Sequence, residues 1–115
     1  MPDDLMAYLY DIQHSALAVK RFVAGQTLES YSSNDLLRSA VERKFEIMGE
    51  ALIRIKREDP TCFKRIRNHR DIISFRNILI HGYNSIDNRI VWAVIQESLN
   101  SLITDASKLL QEIAE

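Results

Sequence analysis

The sequence predicts an all-α fold, an antiparallel bundle of four main helices with one short additional helical turn. Three observations carry that prediction. Apolar residues recur at three- and four-residue spacing through nearly the whole chain, the period that gathers side chains on one face of an α-helix. Glycine and proline number only three and two in 115 residues, so few positions interrupt helical geometry. Strand signals are absent.

The first helix is predicted from Leu5, Leu9, Ile12, Ala16, Val19 and Val23, which share one face, and it ends near Gly25. A polar turn follows. Ser32, Ser33 and Asn34 are N-cap candidates, and Ser32-x-x-Asp35 puts a carboxylate in a first turn, so a second long helix begins there. Its apolar stripe is Leu37, Ala40, Val41, Phe45, Met48, Leu52 and Ile55. Asp59-Pro60 breaks it, because proline pushes the preceding residue out of helical geometry. A short helical turn is expected around Cys62 to Arg67 and a third long helix from Asp71 to His81, with Ile72, Phe75 and Leu79 facing the core. The last helix is capped by Asp87 or Ser85 and turns Val91, Val94, Ile95, Leu102, Ala106, Leu109 and Ile113 inward.

At this length the chain is expected to be one domain, residues 1–115, with a single core. No apolar run approaches a membrane span, and Met1-Pro2-Asp3-Asp4 places acidic residues where a secretory signal carries positive charge. A cytoplasmic protein with no membrane partner is the expectation. Cys62 stands alone, which excludes a disulfide framework and a cysteine metal site and reads best as a partly buried spectator thiol. The three histidines have no converging carboxylates or thiols, so no metal site and no cofactor is expected. No Gly-rich phosphate loop supports a kinase or dehydrogenase.

Charge is balanced overall but not along the chain. Residues 54–76 carry eight Lys or Arg against three Asp or Glu, a local net charge of +5 against −6 for the remainder. Gly49 interrupts the second long helix at a cost of about 1 kcal/mol relative to alanine, which suggests close approach of a neighbouring helix or a second subunit. Glu42, Glu46 and Glu50 form an acidic stripe that reads as a solvated face pairing with Arg43, Lys44 and Arg54.

The most informative stretch is Phe75-Arg76-Asn77-Ile78-Leu79-Ile80-His81-Gly82-Tyr83, where polar groups interrupt an apolar helix. An arginine fork fits phosphate oxygens, and histidine is the side chain that gives or takes protons near neutrality. Gly82 is expected to end the helix in the left-handed conformation, leaving His81 in the last turn and Tyr83 just past it.

Arg76-x4-His81-x-Tyr83 resembles the Arg-x4-His-x-Tyr motif of the HepT-type HEPN ribonuclease toxins. Ala40 to Leu52 resembles that family's upstream helix, and Asp87-Asn88-Arg89-Ile90-Val91-Trp92 the start of its last helix, in the family's order. Asn68-His69-Arg70-Asp71 departs from the family in lacking the proline-tryptophan pair that often stands there.

The resemblance implies a metal-independent endoribonuclease of a type VII-like toxin–antitoxin pair, a homodimer with its cleft at the interface. His81 would serve as acid or base, Arg76 would stabilise the phosphate, and Asn77 would orient one of these groups or the phosphate. On an ideal helix Arg76 and His81 differ by about 140° around the axis, which calls either for unwinding at Gly82 or for two motifs facing each other across a two-fold axis. Tyr83 can simply pack its ring after the helix stop. The resemblance implies instead that it is the target of a minimal nucleotidyltransferase antitoxin that transfers AMP to it from ATP. Lys64, Arg65, Arg67, His69 and Arg70 are candidates for RNA contact, with a solvated face as the alternative. The rival function is a non-catalytic HEPN module that binds a nucleotidyltransferase or nucleic acid.

Overall fold

The computed structural model describes residues 2–82 and 86–115, and among these residues it shows four long helices and two single-turn helices. In chain order they are α1 (Pro2–Val23), α2 (Leu28–Ser32), α3 (Asp35–Glu58), α4 (Pro60–Lys64), α5 (His69–His81) and α6 (Asn88–Ala114). No strand occurs among the described residues. The 27 residues of α6 span about 40 Å at the helical rise, close to the 43 Å long axis of the molecule.

The apolar stripes meet in one core. Leu9, Ile12 and Val19 of α1, Phe45, Met48 and Leu52 of α3, Ile72 and Phe75 of α5 and Val91 and Leu102 of α6 are all buried in it. α1 packs against both α3 and α6, while α5 lies on α3. The margins of the stripes are looser: Leu5, Val23, Ala40, Val94 and Ile113 are only partly buried.

Helix boundaries follow local hydrogen bonding. Asn34 caps α3, its Oδ1 accepting from the Leu37 N–H at 3.0 Å. Asp59 ends α3 and starts α4: its N–H donates to Ile55 O at 2.7 Å, and its Oδ1 accepts from the Cys62 N–H at 3.1 Å. Asp87 caps α6 by accepting from the Arg89 N–H; Ser85, the other candidate, lies outside the described residues.

Three expectations are corrected. The segment taken for a polar turn contains α2, closed by a reciprocal pair in which Thr27 Oγ1 accepts from the Ser30 N–H at 3.1 Å and Ser30 Oγ from the Thr27 N–H at 2.8 Å. Tyr31 anchors it by burying its whole side chain beside Trp92, ring centroids 5.5 Å apart. The short turn expected at Cys62 to Arg67 is α4, which starts earlier because Pro60 suits a first helical turn. Finally, α5 starts at His69, two residues before the position inferred from its apolar stripe, after Asn68 takes a left-handed φ of 64°.

Gly49 sits where α5 crosses α3. A Cβ there would lie 2.3 Å from Arg76 Cβ and 2.6 Å from Arg76 Cγ, so the neighbouring helix, one of the two anticipated reasons, accounts for it. Gly49→Ala would gain about 1 kcal/mol of helix propensity but force two helices apart, an overpacking strain of about 1–3 kcal/mol. A lower melting temperature than the parent's is expected by circular dichroism. A variant that melts higher would show the contact to be slack.

Candidate active site

Packing of α5 sets the direction of every motif side chain. Ile72, Phe75 and Leu79 point into the core, and the Phe75 ring meets Phe45 edge-on at 5.2 Å. That rotation directs the next residue, Arg76, along α3, and turns Asn77 and His81 outward.

The Arg76 stem lies against the bare backbone of Gly49. Its guanidinium is then held on two sides. Nη2 donates to Glu50 Oε2 at 2.9 Å and Nη1 donates to Asn77 Oδ1 at 2.9 Å. Nε is buried without a partner, and the side chain keeps 22 % of its exposure. Glu50 also faces Arg54 at 3.4 Å, so one carboxylate bridges two arginines. Around them opens a concavity of about 340 Å³ lined by Arg43, Arg54 and Arg76 and, in equal number, by Asp11, Glu46 and Glu50, with Tyr8 on one wall. Two of a guanidinium's five donors are engaged here, and the group is fixed in one plane, as bidentate recognition of phosphate oxygens requires.

His81 is the last residue of α5 and is exposed. The helix stays regular to its end, with the Gly82 N–H donating to Ile78 O at 2.7 Å, so no unwinding swings His81 towards Arg76. Gly82 does not take the left-handed conformation expected of it. Its φ is −101°, and the reason for glycine is space: a Cβ would lie 2.7 Å from Ile78 O. Within one chain Arg76 and His81 therefore occupy different faces of α5, about 140° apart. Asn77 is the link, contacting Arg76 while standing one turn before His81. Tyr83 lies outside the described residues.

The basic candidates divide into two groups. Arg65 forms two bonds with Glu112, at 2.8 and 2.6 Å, and these hold the Glu112 carboxyl below its ordinary pKa. Arg67 grips Asp105 through Nε and Nη2, and its backbone N–H adds a third bond. Burial pushes the Asp105 carboxyl up, but these bonds outweigh it and the pKa is lowered. Both arginines are matched by α6. Lys64 and Arg70 are exposed and make no ion pair among the described residues. His69 packs its ring on Phe63, centroids 4.1 Å apart, and burial, with Arg70 and Lys56 nearby, lowers its pKa.

Glu50 pairs with Arg54 as expected of a solvated acidic face, but its second bond, to Arg76, is the site contact that sequence reasoning missed. Its neighbour Gly49 was the available signal, because it marks where α5 comes closest to α3. Glu46 does pair with Arg43, at 3.6 Å, as that face predicted. Two groups away from the site complete the picture: His14 is exposed and stacked on Tyr10, and burial, then Asp59, pushes the Cys62 thiol pKa up. Among the described residues no three His, Cys, Asp or Glu gather as metal ligands, and no helix is long and apolar enough to cross a membrane.

The chain is similar to known proteins over most of its length. The family model described as "Ribonuclease HepT-like" matches residues 12–109. A protein of Methanocaldococcus jannaschii named as a candidate RNase is 34 % identical over 84 % of this chain and 87 % of its own. "Probable ribonuclease HepT" of Thermococcus cleftensis is 31 % identical over 89 % of this chain and 92 % of its own. A further RNase candidate, from Caldanaerobacter subterraneus, is 27 % identical over 88 % of each chain. No solved structure matches.

Proposed function

Since the chain belongs to the ribonuclease HepT-like family, we propose that it is a metal-independent endoribonuclease, the toxin of a toxin–antitoxin pair in the cytoplasm. The observation that carries this reading is the Arg76 fork, fixed by Glu50 and Asn77 at a concavity lined by three arginines and three carboxylates, with His81 exposed one turn beyond Asn77.

Cleavage would begin when a base takes the proton of a ribose 2′-hydroxyl. The 2′-oxygen attacks the adjacent phosphorus, the bond to the 5′-oxygen breaks, and an acid protonates that leaving oxygen. Products would carry a 2′,3′-cyclic phosphate and a 5′-hydroxyl. Arg76 would stabilise charge on the nonbridging oxygens. The angular separation of Arg76 and His81 supports a homodimer, in which two chains supply two histidines, one as base and one as acid.

Control would act at Tyr83. Its hydroxyl oxygen would attack the α-phosphorus of ATP on a minimal nucleotidyltransferase antitoxin, releasing pyrophosphate and leaving AMP on the tyrosine. The added phosphate would compete with RNA for the positive charge of the site.

One assay tests the nuclease. Purified protein with chelator and a panel of RNAs should yield new ends of the stated chemistry. Incubation with ATP and the transferase should add AMP to the parent, not to Tyr83→Phe, and stop cleavage. A second reading is favoured by the same guanidinium, whose two Nη donors are engaged within the chain: a non-catalytic module would protect RNA or bind the transferase without producing new termini.

A further inference from the structure

A second concavity, of about 380 Å³, opens at the other end of α5. Its lining brings together Lys56 of α3, Lys64 near the end of α4 and Arg70 in the first turn of α5, with Phe63 and His69 forming an aromatic wall. No carboxylate lines it. None of the three cations makes an ion pair among the described residues, whereas Arg65 and Arg67 close by are each neutralised by α6. Lys56 Nζ stands 5.7 Å from the centre of the Phe63 ring, which holds that charge over the concavity.

Two further features point the same way. α5 has no side-chain cap: Asn68 precedes it, but the Asn68 Nδ2 donates to Ser101 Oγ at 2.7 Å and leaves the first-turn N–H groups without a side-chain acceptor. Such an uncapped end carries a partial positive charge and suits an anion. His69 Nδ1, at the same end, is buried without a hydrogen-bond partner. The one acid of that turn, Asp71, lines the adjoining groove between α5 and α6 and not this concavity, although its charge reaches His69.

We propose that this concavity is a phosphate subsite for the RNA strand, holding a backbone phosphate to one side of the one that is cut. The inference rests on the ribonuclease reading. Continuity along α5 identifies the anion as part of that strand. Arg70, Ser74, Asn77 and His81 follow one another at four-, three- and four-residue spacing and are all exposed, so one polar face leads from the concavity to His81. Its length is about 16 Å at the helical rise. A strand with a phosphate at each end of that face must extend over several nucleotides, and short RNAs cannot reach both.

The test uses the full chain and two 2′-O-methyl RNAs that cannot be cut, a dinucleotide and a twelve-nucleotide strand. Affinity is measured across a series of salt concentrations. In a Lys56→Ala/Lys64→Ala/Arg70→Ala variant, the preference for the long strand over the short one should fall about tenfold or more, and the slope of log affinity against log salt should drop by about 2. Lys20→Ala/Arg21→Ala/Lys108→Ala removes the same charge elsewhere and should keep most of both. Equal losses in the two triple variants would reduce the effect to net charge and overturn the subsite, as would an unchanged preference in the first. If inorganic phosphate binds the concavity without competing with the long strand, the site is for a free anion and the inference fails. A parent that shows the subsite's binding pattern but never cuts unmodified RNA would sink the nuclease and, with it, the placing of this phosphate beside a cut one, while the contact to the strand would stand.

Discussion

His81→Ala is expected to lower the rate of RNA cleavage by about 10²–10⁴-fold, the range lost when a positioned acid or base is removed. The residue is exposed at the end of α5, so the variant should fold and melt like the parent. Loss of rate without loss of stability would separate chemistry from folding. The deficit should persist with chelator present. Co-refolding the variant with parent protein adds a sharper test. If two histidines from paired chains act as base and acid, activity falls with the square of the parent fraction. A linear decline would mean that each chain works alone, and a fully active His81→Ala protein would end the proposed mechanism.

The second large effect should come from Arg76. Arg76→Ala removes the fork proposed to meet the phosphate and should cost about 10²–10³ in kcat, the scale for one preorganised donor at a developing oxyanion. Arg76→Lys should recover little, because a point charge cannot make two parallel bonds. Glu50 then separates positioning from binding. As a residue that holds Arg76 from 2.9 Å, it should lower kcat more than it raises KM when changed to alanine, and Glu50→Gln should restore much of the loss by keeping one acceptor. The carboxylate is close to half exposed, so the accompanying stability change should stay near about 1 kcal/mol. Faster cleavage by Glu50→Ala would mean that the carboxylate obstructs the fork instead of aiming it.

Much of the fold was legible because burial imposes a period. Leu9, Ile12, Ala16 and Val19, or Ile72, Phe75 and Leu79, can share one face only in a helix, and all of them are buried. What escaped depends on contacts between distant parts of the chain. The single turn of α2 is too short for a period to show, and only the burial of Tyr31 against Trp92 makes it worth forming. The start of α5 is set by a backbone turn at Asn68, a residue that tolerates left-handed geometry without advertising it.

The site divides along the same line. Arg76, Asn77 and His81 could be singled out because polar groups interrupt an apolar helix, and the 140° between Arg76 and His81 follows from helical geometry. The partner of Arg76 could not. Glu50 has the same spacing as Glu42 and Glu46, and only the adjacent Gly49, which marks the close approach of α5, hints at which carboxylate meets that helix. Likewise, Arg65, Arg67 and Arg70 look alike in one dimension, yet the first two are tied to Glu112 and Asp105, more than thirty residues further on.

The missing side chain at position 49 has one more consequence. A long flexible arginine that orders itself around a substrate loses on the order of 2 kcal/mol of rotamer entropy at that moment, which weakens binding accordingly. Here the stem of Arg76 is already wedged between two backbones, so its freedom disappears when the polypeptide collapses and not when a ligand arrives. Immobilisation is thereby shifted from each encounter with nucleic acid to a single event in the lifetime of the molecule.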